Sequence, residues 1–339
     1  QAGYVYRPVR NRSEELLRGY AVEAVEDSGY QDMTLSSLST SDYPHLVELC
    51  DDLEDFCAQR HVTLALPSLR ADNFSMDIMS RLQKVRKGGL TFAPEAGTQR
   101  LRDVINKGVT EEDLMSKVSD AFHGGWSSVK LYFMMGLPTE TTEDLDGIAD
   151  LAKKVVDAYF AVPRGERAKG LRVVCSASVF VPKPFTPFQW EPQDTQEMVR
   201  EKQSHLREKL RIKGVTFNYH ESDLSYLEAC FARGDRRMGQ VLLRAYQKGC
   251  MLDGWTELFK YDMWREAFAE LGIDPAFYAY RRREKDEIMP WDVIDCGVTK
   301  EFLWREKEKA EKAQTTKDCR KGCNGCGLQR FKGVCKYCG

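Results

Sequence analysis

The sequence predicts an α/β protein built on a parallel sheet. Three observations carry that expectation. Short β-branched runs recur roughly every 30 to 45 residues, and a segment of helical period lies between each pair. The turns after these runs are rich in Gly and Pro. The composition is that of a folded chain: 339 residues, 42% hydrophobic, 30% charged, net charge −2. This argues against disorder and collagen. No apolar run reaches the ~18 residues a bilayer span needs, so no membrane partner is expected. No secretory signal opens the chain, so a cytoplasmic protein is expected.

Each element follows from its pattern. Ser13 to Ser28 places Leu16, Leu17, Tyr20, Ala21, Ala24 and Val25 on one helical face. Asp32 to Leu38 is extended and ends in Ser39, Thr40 and Ser41. A helix follows with Leu46, Leu49, Cys50, Leu53, Phe56 and Cys57 inward. His61 to Leu66 alternates as a strand and stops at Pro67. A helix at 75–86 leads to a strand at Gly89 to Ala93, and another helix starts near Gly97. Thr110 to Phe122 is helical, with Thr110 and Asp113 as a capping box. Then come a strand at Ser128 to Met134, a helix at Thr142 to Tyr159 and a buried strand at Leu171 to Val181. A helix at Gln193 to Arg211 and a strand at Val215 to Tyr219 follow. The strands starting near residues 32, 62, 89, 128 and 171 are expected parallel and adjacent in that order. The residue-32 strand should present an open edge.

Three regions are expected: 1–220, 221–300 and 301–339. In the second, Ser222 to Ala279 is helical and aromatic, and Arg281 to Pro290 reads as a charged connector. In the third, Glu301 to Ala313 is a charged helix. From Lys300 onward, eleven Lys/Arg face five Asp/Glu, a net +6; with −2 for the whole chain, the rest carries −8. A basic tail on a Cys cluster could touch RNA, but such a tail is more often a solvated, positively charged metal module.

Ligands of parallel α/β folds bind at the carboxyl ends of the strands. The candidates are therefore Ser39 to Ser41, Pro67-Ser68, Pro94-Glu95-Ala96-Gly97, Gly136-Leu137-Pro138 with Glu140, and Val181 to Pro184. Glu95 is able to accept hydrogen bonds from a ligand amine or hydroxyls, or to serve a helix N-terminus.

These residues carry a family resemblance. Thr91 to Leu101 with Asn106-Lys107-Gly108 resembles the fourth-strand motif of radical S-adenosylmethionine (SAM) enzymes. Lys130 to Leu145 resembles their fifth-strand motif, and Phe180 to Phe188 their sixth-strand turn. The chain is most similar to an uncharacterised group with an upstream cobalamin-binding-like domain. The resemblance includes Gly234 to Arg237, Asp253-Gly254-Trp255 and the terminal cysteines.

The resemblance implies a partial (β/α)6-type barrel lacking its first strand, an α-rich extension and a small Cys-rich metal module. Its cofactors would be SAM and a [4Fe–4S] cluster, with cobalamin in the parent and an electron donor as partner. Reductive cleavage of SAM would give methionine and a 5′-deoxyadenosyl radical. Glu95 would meet the SAM amine or ribose hydroxyls. Ser39 and Ser41 would meet the methionine end, and Lys107 its carboxylate. Gly97 belongs to the same SAM-binding turn. Gly136 would let backbone approach the adenine, between Met134 and Val181 as apolar walls or as plain core.

In the family, a Cys-x3-Cys-x2-Cys loop after the first strand holds the cluster, and Gln1 to Arg10 resembles the stretch directly after its last Cys. The chain, which opens on Gln1, is therefore expected to be an internal piece with five barrel strands and six helices. It should lack the cluster loop and be inactive alone. The other reading is a catalytically inactive barrel that binds RNA or protein through its tail.

The cysteines are uneven. Cys319, Cys323, Cys326, Cys335 and Cys338 crowd the end, which reads as zinc or an auxiliary Fe–S cluster. Cys319, Cys323 and Cys326 are expected within ~4 Å of one another on a metal. Cys50, Cys57, Cys175, Cys230, Cys250 and Cys296 read as small core residues. His220 follows a strand, where it faces either a substrate or a structural partner. There is no P-loop, no Gly-x-Ser-x-Gly and no His-Glu-x-x-His, which argues against NTPase, α/β-hydrolase and zincin chemistry.

Overall fold

A computed structural model describes residues 1–37, 40–65, 90–331, 333 and 335. The expected helix at 75–86 lies outside them. Helices α1 (Ala2–Val5) and α2 (Glu14–Ser28) precede strand β1 (Asp32–Thr34). Helix α3 (Leu46–Arg60) joins it to β2 (Thr63–Ala65). Then follow β3 (Leu90–Glu95), α4 (Gln99–Val104), α5 (Glu111–His123), β4 (Ser128–Met135) and α6 (Thr142–Ala161). The run ends with β5 (Arg172–Val179), α7 (Gln196–Lys209) and β6 (Val215–Tyr219).

Every ladder among the described residues is parallel. β1 pairs β2 with Met33 opposite Leu64. A second sheet has the order β3-β4-β5-β6. The expected sequential order thus appears as two runs, and among the described residues no ladder joins β2 to β3. Neither β1 nor β2 has a second partner among them.

Alternation decides which face of the larger sheet is buried. Val129, Leu131, Phe133 and Met135 of β4 point the same way as Val173, Cys175, Ala177 and Val179 of β5. They pack on Leu114, Val118 and Phe122 of α5 and on the apolar face of α6. On the other face Lys130 and Met134 are half-buried and Tyr132 is exposed. The caps also work locally. Thr110 and Asp113 form the expected capping box, and Thr141 with Asp144 forms a second at the head of α6. Thr195 caps α7, so that helix begins three residues later than its apolar pattern suggests.

The extension consists of α8 (Ser222–Arg233), α9 (Met238–Gln247), α10 (Tyr261–Glu270) and α11 (Ala276–Ala279) around a core of their own. Residues 281–290 are mostly exposed, but Arg283 and Met289 anchor the segment in the fold. Arg283 is buried, stacks 4.8 Å from the Trp291 ring centroid and donates to the Arg233 carbonyl at 2.8 Å. The last helix, α12 (Lys300–Ala310), ends earlier than expected, with Ala313 in the left-handed region beyond it. Ala310 and Ala313 pack against Ala96, Val104 and Leu137, so the tail helix lies along the ends of β3 and β4.

Candidate functional site

The site grows from the end of β3. The β3–β4 register slips between Phe92 and Glu95, and Glu95 has φ +67°. Such a bulge re-aims a side chain, and positive φ in a non-Gly residue is costly enough to need support. The support is visible. Arg102, almost wholly buried, donates to the Ala96 carbonyl at 3.0 Å. Glu95 itself accepts from the Lys107 ammonium at 3.1 Å, with both side chains about one-quarter exposed. An acid and a base therefore stand together, open to solvent, at the carboxyl end of the strand.

Gly97 follows, and its bare Cα is needed for packing. A Cβ there would lie 2.3 Å from the Asp144 carbonyl oxygen and 2.4 Å from the Ile148 nitrogen. Gly147 is its counterpart on α6, with only 2.9 Å to Gly97 for any added Cβ. The Pro94–Gly97 turn thus sits backbone-on-backbone on the first turn of α6. Asp144 secures the contact by accepting from Thr98 and Arg100. Arg100 also donates to the Thr139 carbonyl at 2.8 Å. This ties the third-strand turn to the fourth.

Gly136 ends β4 with φ +82°, and a Cβ there would lie 2.8 Å from Asp194 Oδ2. Its N–H donates to both Glu140 oxygens at 2.9 and 3.0 Å. Lys202 of α7 bridges Glu140 at 2.7 Å and Asp194 at 2.6 Å. Burial pushes the Glu140 carboxyl up against the pull of Lys202. Burial works against the Lys202 ammonium too, but the two carboxylates more than offset it and its pKa lies above the ordinary range. The cluster is an ion pair that fixes the turn.

Glu95 pairs with Phe133 across the ladder, and Gly136 follows three residues on, so both lie at neighbouring strand ends. Ser39 lies outside the described residues. Ser41 falls in the short 3-10 turn Thr40–Asp42. Met134 and Val181 are not brought together. Met134 packs with Ala96, Phe180 and Ala310, whereas Val181 belongs to the core of the extension with Leu227 and Cys230. For Val181 these contacts are those of the plain-core alternative. His220 is exposed, and its backbone is bound by Ala177 and Gln203.

The thiols diverge. Cys326 is buried, Cys319 and Cys335 are half-buried, Cys323 is exposed, and Cys338 lies outside the described residues. Gly322, Gly325 and Gly327, all at positive φ, alternate with Cys319, Cys323 and Cys326 along the chain. Among the described residues no group of three or more His, Cys, Asp or Glu is placed to hold a metal ion. The close approach expected of Cys319, Cys323 and Cys326 is absent from this structure. Of the scattered cysteines, Cys50, Cys57, Cys175, Cys230 and Cys250 are buried as expected, while Cys296 is only half-buried. Burial pushes the Cys175 and Cys230 thiols up to about 12.

Asp144, Gly147, Asp194 and Lys202 were not singled out by the sequence. Asp144 carried a signal, since Thr141 three residues earlier makes a capping box. Lys202 carried none.

A parallel α/β sheet with reinforced turns at its strand ends defines a class that binds ligands at that edge. Residues 1–152 match the Radical SAM superfamily. That match suggests SAM-dependent radical chemistry and implies SAM and a [4Fe–4S] cluster as cofactors. The chain is also 33% identical over 265 residues to an uncharacterized protein of Methanocaldococcus jannaschii, MJ0966. The match covers 76% of this chain and 55% of that protein, so the chain spans about half its relative's length. Among the described residues no helix is long and apolar enough to cross a membrane.

The strand-end residues suit the polar groups of SAM: a carboxylate for its amine or hydroxyls, an ammonium for its carboxylate. Among the described residues no thiolate triad stands at those ends for the cluster.

Proposed function

We propose that this chain is part of a radical SAM enzyme whose residues 1–220 form a partial (β/α)6-type barrel, with SAM held at the strand ends. The observation that carries the reading is the Glu95–Lys107 pair, presented on a bulge beside the Gly136 turn. When bound, SAM and its cluster supply reductive C–S cleavage and radical chemistry on a substrate; methyl transfer linked to cobalamin is the class to test first. Glu95 would accept from the SAM amine or ribose, and Lys107 would turn from Glu95 to the SAM carboxylate. Gly136 and its clamp would fix the turn beneath the adenine. The five tail cysteines would hold zinc or an auxiliary Fe–S cluster. An electron donor and a cytoplasmic setting complete the reading.

The test is SAM titration by calorimetry, in this chain and in the longer parent. Glu95→Ala should weaken binding by ~1.5 to 3 kcal/mol, the scale of a charged hydrogen bond, with Glu95→Gln milder. Unchanged affinity removes Glu95 from the site. Absence of SAM binding by the reconstituted parent overturns the reading.

A further inference from the structure

The helix that leads to Lys107 ends in a way that joins it to the tail. Helix α4 closes in a paired cap: Lys107 N–H donates to the Arg102 carbonyl at 2.8 Å, and Asn106 N–H to the Asp103 carbonyl at 2.9 Å. This cap puts Asn106 in the left-handed region, at φ +53°. Glycine meets that need with least strain, and Asn is the usual substitute. Asn also brings a side-chain acceptor, and here the acceptor is used. Thr316 N–H, 210 residues further along the chain, donates to Asn106 Oδ1 at 2.9 Å. The Arg102 side chain holds the Ala96 carbonyl at 3.0 Å, so the turn after Glu95 and the turn before Lys107 are both fastened to α4.

The tail reaches this point by its own packing. Ala310 at the end of α12 and Ala313 beyond it share one apolar cluster with Ala96, Leu101, Val104 and Ile105. Gln314 N–H donates to the Lys309 carbonyl at 2.9 Å, and the Lys309 ammonium donates to the Thr316 hydroxyl at 2.9 Å. These bonds fold residues 314–316 back along the helix. Glu306 accepts from the same ammonium at 2.9 Å, so Lys309 is balanced without reaching Asn106. Lys107 stands next to the tether, with its ammonium 3.1 Å from Glu95. A lysine side chain has many rotamers, so the direction in which it is offered depends on the backbone that carries it.

We propose that Asn106 is a positioning residue for the SAM carboxylate contact. Through Thr316 it fixes the backbone that offers Lys107, so docking of residues 310–316 and binding of SAM favour each other. The segment that leads into the Cys-rich end of the chain is thereby coupled to the strand-end site. By linkage, the factor by which the docked tail strengthens SAM binding equals the factor by which SAM favours the docked tail. The proposal rests on the reading of Lys107 as the partner of the SAM carboxylate, and the experiment separates the two.

SAM is titrated by calorimetry into the reconstituted parent and into its Asn106→Gly and Thr316→Pro variants. Asn106→Gly keeps the left-handed turn and removes the acceptor, and Thr316→Pro removes the N–H donor. Each should weaken SAM binding about threefold, within the range of one net hydrogen bond, and the double variant no further, because both delete the same contact. In the unaltered protein, saturating SAM should slow trypsin cleavage after Lys312 and Lys317 by a similar factor, and in Asn106→Gly it should not. Unchanged SAM affinity in both single variants, while Lys107→Ala still weakens binding, overturns the positioning role and leaves the SAM reading standing. Losses that add in the double variant also overturn it, since the two residues then act separately. Lys107→Ala at full SAM affinity, or no SAM binding by the unaltered parent, overturns both. Should Thr316→Pro fail to fold by circular dichroism, Asn106→Gly and the protection of the tail by SAM decide.

Discussion

The sheet region, residues 90–219, and the junction around residues 281–335 are both densely packed, but by different means. In the sheet, apolar side chains of β4 and β5 meet those of α5 and α6 in one continuous core. At the junction, arginines reach backbone carbonyls, tryptophans surround thiols, and polar donors are buried without partners. The first arrangement is stable in itself, because apolar burial needs no specific partner. The second depends on each group finding its complement. The sheet is therefore a scaffold, and the junction is where a bound group would change the energetics most.

The largest effect expected in the sheet region comes from its tightest contact. Gly97→Val would drive a side chain into the backbone of α6, 2.3 Å from the Asp144 oxygen, where no rotamer offers relief. We expect a loss upwards of ~4 kcal/mol in urea unfolding, since overpacking against backbone cannot be absorbed by side-chain movement. Gly108, with nothing within 4 Å of an added Cβ, is the control, and its Ala variant should be close to neutral. Equal losses at both positions would show that glycine flexibility, not close approach, is what matters at Gly97.

The second effect probes a polar device inside the sheet region. Lys202→Met leaves Glu140 and Asp194 facing each other without their ammonium. Breaking a buried pair in this way costs about 3 kcal/mol, whereas replacing both partners is milder. The double variant Lys202→Met with Glu140→Gln should therefore recover part of the loss, measured by urea unfolding. No recovery would mean that Lys202 acts by packing its stem, and that the sheet region has no polar dependence comparable to the junction's.

The contrast between the regions also explains what could be read beforehand. Helices α5 and α6, the strands they cover and the Thr110 cap were legible because apolar period and capping are local properties. The strand-end turns were legible by resemblance. Lys202 was not, because its partners Glu140 and Asp194 become partners only when α7 docks on the end of β4. Arg233 and Arg283 carried no signal for the same reason. Their acceptors are carbonyls, and every residue has one. The Asn106–Thr316 contact was hidden by distance along the chain.

The smallest effect tests polar anchoring at the rim of the junction. Asp235 accepts from the Arg237 side chain at 2.7 and 3.0 Å, from the Arg237 amide at 2.9 Å and from the Tyr278 hydroxyl at 3.1 Å. The Arg237 guanidinium, foremost among these, holds the carboxyl at about 2, below the ~3.9 of an unfolded Asp. A depressed folded pKa means that the folded state binds the proton less readily. The stabilisation is therefore complete above about pH 4 and disappears as pH falls toward 2. The side chain is 28% exposed and partly screened, so the contribution is about 1 kcal/mol. Urea unfolding of the unaltered chain and of Asp235→Asn should differ by that amount at pH 5, and the gap should shrink steadily as pH falls to about 2.5. A gap that stays constant with pH would show that Asp235 acts as a neutral hydrogen-bond acceptor, and that the charge on Arg237 contributes nothing to holding α11 against the start of α9.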